Sequence, residues 1–204
     1  MHMKNNILVP VVVEKDPNGF ERSYDIYSRL LKDFIVFITG EIDIAVANTF
    51  IAQLLFLESD DPTRDIKIYI NSEGGYVSAG LAMYDTMKLI RNDIVTINVG
   101  LAASMASVLL SGGTKGKRYV LPESKTMIHQ VLGGAEGQAS DVEIAAKEML
   151  KVKERLTQIL AENTSQKFDK VLKDMDRNYW ITAKESVEYG IADEILKTQK
   201  GKKA

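Results

Sequence analysis

Cysteine is absent from the 204 residues. That excludes disulfides, a thiolate nucleophile and any zinc site built on Cys ligands. Histidine occurs at His2 and His129 only, so a His-rich metal site is excluded as well. His2 sits in a Met1-His2-Met3 start compatible with a cloning scar, which leaves His129 as the one internal imidazole for acid–base work. Neither sign of charge dominates: 26 Lys and Arg stand against 28 Asp and Glu, a net charge of −2. No global basic field is available to hold nucleic acid or an anionic membrane. No apolar run reaches the ~18–20 residues that span a bilayer. The stretch Ile7-Leu8-Val9 is too short for a secretory core, and the expected setting is the cytoplasm. With 4 prolines and no Ser-rich linker or internal repeat, nothing divides the chain into separate modules.

What is present is an ordinary globular balance, 45% hydrophobic and 26% charged. At roughly 150 residues per domain, one domain is expected, with or without an extension. The first twenty residues read as irregular, with a turn signal at Asp16-Pro17-Asn18-Gly19. The spacing of Tyr24, Tyr27, Leu30 and Leu31 predicts a helix from Ser23 to Lys32. Phe34 to Ile38 has strand length, and Ile44 to Leu57 reads as a second helix. Asp65-Ile66-Lys67-Ile68-Tyr69-Ile70 alternates polar and apolar, as a half-buried strand does. It runs into a loop at Asn71-Ser72-Glu73-Gly74-Gly75. A helix over Val77–Ile90, a strand over Ile94–Val99 and a small-residue helix from about Ala102 follow. Arg118–Leu121 and Thr126–His129 read as short strands. This alternation predicts an α/β fold of βαβ units with a largely parallel sheet. Beyond the glycine-rich segment from Leu132 to Gln138, Val142, Ala145, Met149, Val152, Leu156 and Ile159 form one apolar stripe. They predict a long helix from Ser140 to Glu162, which either packs on the sheet or projects to pack on another subunit. Lys197 to Ala204, with four lysines, reads as a solvated tail.

Three features are able to carry chemistry. In Gly100-Leu101-Ala102-Ala103-Ser104-Met105, a strand gives way to a helix with Ser104 in its first turn, near free backbone N–H groups. Small-residue packing explains the same segment. Gly74-Gly75 allows the backbone to present N–H donors to an anion, or simply to turn. His129, after Met127-Ile128, is either a structural residue or a base. All three sit at strand ends, where open α/β sheets gather their sites, so a Ser–His dyad with an oxyanion hole is a consistent joint reading.

Tyr24-Asp25-Ile26-Tyr27-Ser28-Arg29-Leu30-Leu31, Ala52-Gln53-Leu54-Leu55-Phe56-Leu57-Glu58, Ala102-Ala103-Ser104-Met105, Gly116-Lys117-Arg118-Tyr119, Met127-Ile128-His129-Gln130 and Val187-Glu188-Tyr189-Gly190 resemble the ClpP family, the proteolytic core of the Clp ATP-dependent proteases. The likeness runs from about residue 7 to residue 196. It implies a ClpP/crotonase-type α/β fold of stacked βαβ units with a projecting handle helix. The parts would be an N-terminal axial segment (1–22), a head (23–131 and 163–197), a handle region (132–162) and a basic tail (198–204). It implies Ser104 as nucleophile and His129 as general base. The backbone N–H groups of Gly75 and Met105 would form the oxyanion hole. It further implies a homo-oligomer of two stacked seven-membered rings, enclosing a chamber for unfolded polypeptides. A hexameric AAA+ ATPase unfoldase would feed that chamber and spend the ATP, so the chain itself needs no cofactor or metal. Asp176 and Arg177 match the charged pair that links ring contacts to active-site order, and Gln138 is placed with them as an oligomer sensor. A crotonase-type acyl-CoA enzyme shares the fold but has no need of a Ser–His pair.

The departures from the family pattern bear on activity. Asn178 stands where the third triad member, an aspartate, is expected. An amide oxygen accepts the imidazole N–H but supplies no negative charge to stabilise imidazolium. Asp174 or Asp176 is an alternative partner for the ring. Glu73 replaces a loop proline and brings a carboxylate near the oxyanion position. Lys67 replaces an aromatic residue of the pocket that receives the ATPase, where Tyr69 and Leu89 remain suitable. These changes leave two expectations: a serine endopeptidase in its own right, or a weakly active regulatory ring subunit that pairs with a second ClpP-type chain.

Overall fold

The computed structural model describes residues 8–15 and 18–197. His2, Asp16-Pro17 of the turn signal, and the basic tail 198–204 lie outside the described residues.

The described residues begin with an antiparallel hairpin of β1 (Val11–Lys15) and β2 (Glu21–Asp25). This corrects two expectations. The stretch before residue 20 holds a strand, and Ser23–Asp25 is extended, so α1 covers only Ile26–Leu31. Asp25 explains the boundary: its carboxylate accepts from Ser28 N at 2.9 Å. An N-cap residue itself takes an extended conformation. Arg29 of α1 ties the helix to the hairpin by an ion pair to Glu14, and it also pairs with Asp33 just past the helix.

A mostly parallel sheet carries the rest. Its ordered path is β3 (Ile35–Ile42), β4 (Ile66–Gly75), β5 (Ile94–Ala103), β6 (Arg118–Val120) and β9 (Glu194–Ile195), each parallel to its neighbour. Beyond β6, β5 also pairs in parallel with β7 (Lys125–Ile128), which is antiparallel to β8 (Tyr179–Thr182). The crossovers are α2 (Ile44–Asp60), α3 (Val77–Leu89) and α4 (Met105–Ser111). This is the mixed α/β, βαβ-based architecture expected of the ClpP fold. Asp43 caps α2 through Val46 N at 2.7 Å. On β4 the alternation works as read: Ile66, Ile68 and Ile70 are wholly buried while Lys67 is exposed. β5 lies at the centre, with Ile94 to Asn98 buried on both faces. Every residue of α4 is buried against β4 and β5, and Ala106 and Ser107 keep its start small enough to pack there.

After β7 the chain passes through residues 129–138 into α5 (Ala139–Thr164), at 26 residues about 39 Å long. The two readings of its stripe divide along its length. Leu156, Ile159, Leu160 and Ala161 are buried against α4 and α6 (Phe168–Asp174), whereas in the first half Val142 of the stripe is exposed, Ala145 and Met149 are half-buried, and Ile144 and Leu150, beside the stripe, are exposed. A final helix, α7 (Ala183–Tyr189), is closed at its start by a Thr182–Glu185 capping box. Among the described residues no helix is long and apolar enough to cross a membrane.

Candidate active site

β5 runs to Ala103 and α4 starts at Met105, so Ser104 is the hinge between them rather than part of the helix. Its backbone stands at φ 54, ψ −125. A non-glycine residue there costs on the order of 1–3 kcal/mol and persists only where its surroundings over-determine it. Here they do. Ser104 N donates to Met127 O at 2.9 Å, and Ser104 O accepts from Ser107 N at 3.0 Å and Ser107 Oγ at 2.6 Å.

The parallel register brings the histidine to the serine. Ala103 faces Met127 across the β5–β7 ladder, and one or two residues past that rung lie Ser104 and His129. Their side chains meet, with His129 Nε2 2.8 Å from Ser104 Oγ. Burial pushes the imidazole below its usual pKa, and the Asn178 side chain, as a hydrogen-bonding neighbour, pulls weakly the other way. A largely neutral imidazole at this distance is able to accept the hydroxyl proton.

The other side of the ring is set by the β7–β8 register. Ile128 faces Tyr179, so the next rung of this antiparallel ladder places Asn178 across from His129. Gln130 holds that turn: its backbone N donates to Met175 O at 2.6 Å and its Nε2 to Asp176 O at 2.7 Å. The sequence contains Gln130 only as a motif member, and no local pattern gives it this role. Asp174 faces elsewhere, accepting from Lys170 Nζ at 2.7 Å and Tyr189 Oη at 2.9 Å. The alternative of Asp174 turning to the ring is therefore corrected: it is already engaged with two partners. Asp176 and Arg177 are exposed beside each other, 4.0 Å apart at their nearest polar atoms.

The glycine pair closes the third side. Gly74 has φ +94, and a Cβ there would fall 2.7 Å from Ser104 Cβ and 3.0 Å from Met105 N. Gly75 has φ +156 and would place a Cβ 2.3 Å from Ile42 O. Both must be glycine, Gly74 because of its approach to Ser104 and Gly75 because of its approach to β3. The expected loop is in fact the last stretch of β4, which pairs Glu41 with Gly74 and Ile42 with Gly75.

These groups border a cleft of about 290 Å³ lined by Ser104, His129, Gly74, Gly75, Met105 and Glu73 among others. Glu41, 63 residues before Ser104 and without any local signal, also lines it. The remaining predicted residues lie elsewhere. Gln138 is exposed at the start of α5. Lys67 and Tyr69 share the opposite face of β4 from its buried isoleucines, Tyr69 stacking on Phe37 at 5.5 Å. Leu89, the last residue of α3, is 78% exposed. Among the described residues no group of three or more His, Asp or Glu is placed to hold a metal.

A hydroxyl paired with an imidazole at the ends of parallel strands, with glycine backbone against it, is the arrangement by which α/β hydrolytic enzymes attack carbonyl carbon. Over residues 18–199 the chain matches the Clp protease family. It belongs to that family, and its class is that of a ClpP-type peptidase.

Proposed function

We propose that the chain is a serine-type endopeptidase with Ser104 as nucleophile and His129 as general base. The observation that carries this reading is the 2.8 Å contact between Ser104 Oγ and His129 Nε2. As Ser104 Oγ bonds to the scissile carbonyl carbon, its proton passes to His129 Nε2. The tetrahedral oxyanion lies toward the backbone N–H groups of Gly75 and Met105. Collapse expels the amine, which takes the proton from His129 and leaves an acyl-enzyme. Water then gives a proton to the same imidazole as it attacks the acyl carbon; the bond to Ser104 Oγ breaks, Oγ takes the proton back from His129 and the acid leaves. Asn178 orients the ring and adds no charge.

In the same reading the chain works as a ring assembly, and the exposed Val142, Ile144 and Leu150 of α5 meet another copy. An ATP-driven unfoldase supplies unfolded chains, docking over the surface that holds Tyr69 and Leu89. Lys67 places a charge in that surface. Asn178 favours a second reading, in which the chain is a weakly active ring subunit that assembles with a fully equipped relative.

Hydrolysis of a short fluorogenic peptide by the purified chain, with Ser104→Ala as blank, tests the proposal. Turnover abolished in the variant is the expected result. Turnover that survives Ser104→Ala overturns the assignment of the nucleophile. No turnover by the wild type, restored only when a second ClpP-type chain is added, supports the regulatory reading.

A further inference from the structure

The cleft beside Ser104 has two carboxylates at its edge. Glu41 and Glu73 both line it, and among the described residues its lining includes no Lys or Arg. A strand irregularity brings them there. Thr39 faces Asn71 and Glu41 faces Gly74, so β4 carries one residue more than β3 across this step. Such a bulge re-aims side chains that regular pairing would send to fixed faces. Ser72 anchors it, donating through Oγ to Gly40 O at 2.5 Å and accepting from Gly74 N at 3.0 Å. Glu73 follows Ser72 directly and is exposed, as is Glu41. Neither forms an ion pair with another described residue. The cleft walls behind them are apolar, including Ile128, Leu156, Leu160 and Met175.

Two uncompensated like charges at the mouth of a low-dielectric cleft focus a negative potential into it. We infer that the cleft selects cationic peptide segments, with Glu41 and Glu73 holding a Lys or Arg side chain beside the bond presented to Ser104. This substrate class rests on the serine-peptidase reading. Charge complementarity of this kind acts on encounter and register, so it falls mainly on KM. It weakens as salt screens exposed charges.

The test uses three fluorogenic peptides, identical except for Lys, norleucine or Glu next to the scissile bond. With the full-length assembly at low ionic strength, kcat/KM for the Lys peptide is expected to exceed that for the Glu peptide about tenfold, the order available from two exposed ion pairs. The Glu41→Gln/Glu73→Gln double variant should bring that ratio close to one. A wild-type ratio near one overturns the inference, as does a ratio that persists in the double variant. Fluorescence anisotropy of the same labelled peptides on Ser104→Ala separates this inference from the catalytic reading. Tighter binding of the Lys peptide supports the charge selection even if no peptide is cleaved. Equal binding of the Lys and Glu peptides refutes it.

Discussion

Ser104 holds a backbone conformation that L-residues avoid, and the groups beside it explain why the chain tolerates it. Only glycine at position 74 lets β4 approach Ser104 Cβ and Met105 N so closely. The strain therefore belongs to the site. The same scale decides how well His129 serves as the base proposed above. Its pKa is lowered by burial, and only an amide opposes that, so the imidazole is neutral across most of the working range but poorly able to keep a proton. Activity is expected to rise as pH increases through this lowered pKa and then level off. Asn178→Asp places a carboxylate across from the ring, which favours imidazolium. The rising limb of the kcat/KM–pH profile should move to higher pH, and kcat should increase by about 10–10⁴-fold, the upper figure being the full effect of this exchange in the chymotrypsin-type example. An unchanged profile and rate would show that Asn178 does not limit the reaction.

At the scale of elements, the sheet's last parallel strand is secured by a nearly buried ion pair. The Arg118 side chain is 5% exposed and that of Asp193 22%. Asp193 accepts from Arg118 Nε at 2.9 Å and from the backbone N of Gly116 at 2.8 Å. Burial alone would raise the Asp193 pKa, but the bonds from Arg118 outweigh it and the carboxyl is held below its usual range. A depressed carboxylate stabilises the fold above its unfolded pKa, and that contribution is lost as pH falls through the folded value. Asp193→Ala leaves the Arg118 charge buried without its partner and is expected to cost about 3–5 kcal/mol. Urea unfolding should show that deficit at pH 7, and the gap to wild type should narrow below about pH 4, near the unfolded carboxylate pKa. An equal gap at both pH values would argue that packing, not charge, is what the variant loses.

For the molecule as a whole, α5 is the element divided in its surroundings. Its second half completes the core through Leu156, Ile159 and Leu160, while its first half exposes Ile144 and Leu150 at 65% each. In the ring assembly proposed above, these exposed apolar side chains are the surface that meets another copy. The double substitution Ile144→Asp/Leu150→Asp is expected to reduce the particle size in light scattering while leaving the far-ultraviolet circular dichroism unchanged. Particles of unchanged size would mean that assembly uses other surfaces.

By itself, the sequence determined the elements with strong local signals. The alternation over 66–70, the stripe from Val142 to Ile159, and the strand–small residue–helix passage around Ser104 are written in consecutive residues, because side-chain periodicity is a short-range property. The candidates Ser104, His129 and the glycine pair were legible for the same reason. The hairpin at Val11–Asp25 was not, since its pairing outweighs the helical spacing of Tyr24 and Tyr27. Only tertiary structure decided which residues meet. The β5–β7 register sets Ser104 against His129, the β7–β8 register sets Asn178 beyond the ring, and Asp174 is removed from contention by Lys170 and Tyr189. Glu41 enters the cleft through a bulge between strands. Pairings such as Ser104 with His129, 25 residues apart, and His129 with Asn178, 49 apart, depend on strand register, which arises from how whole faces bury together and leaves no mark on any short stretch of chain.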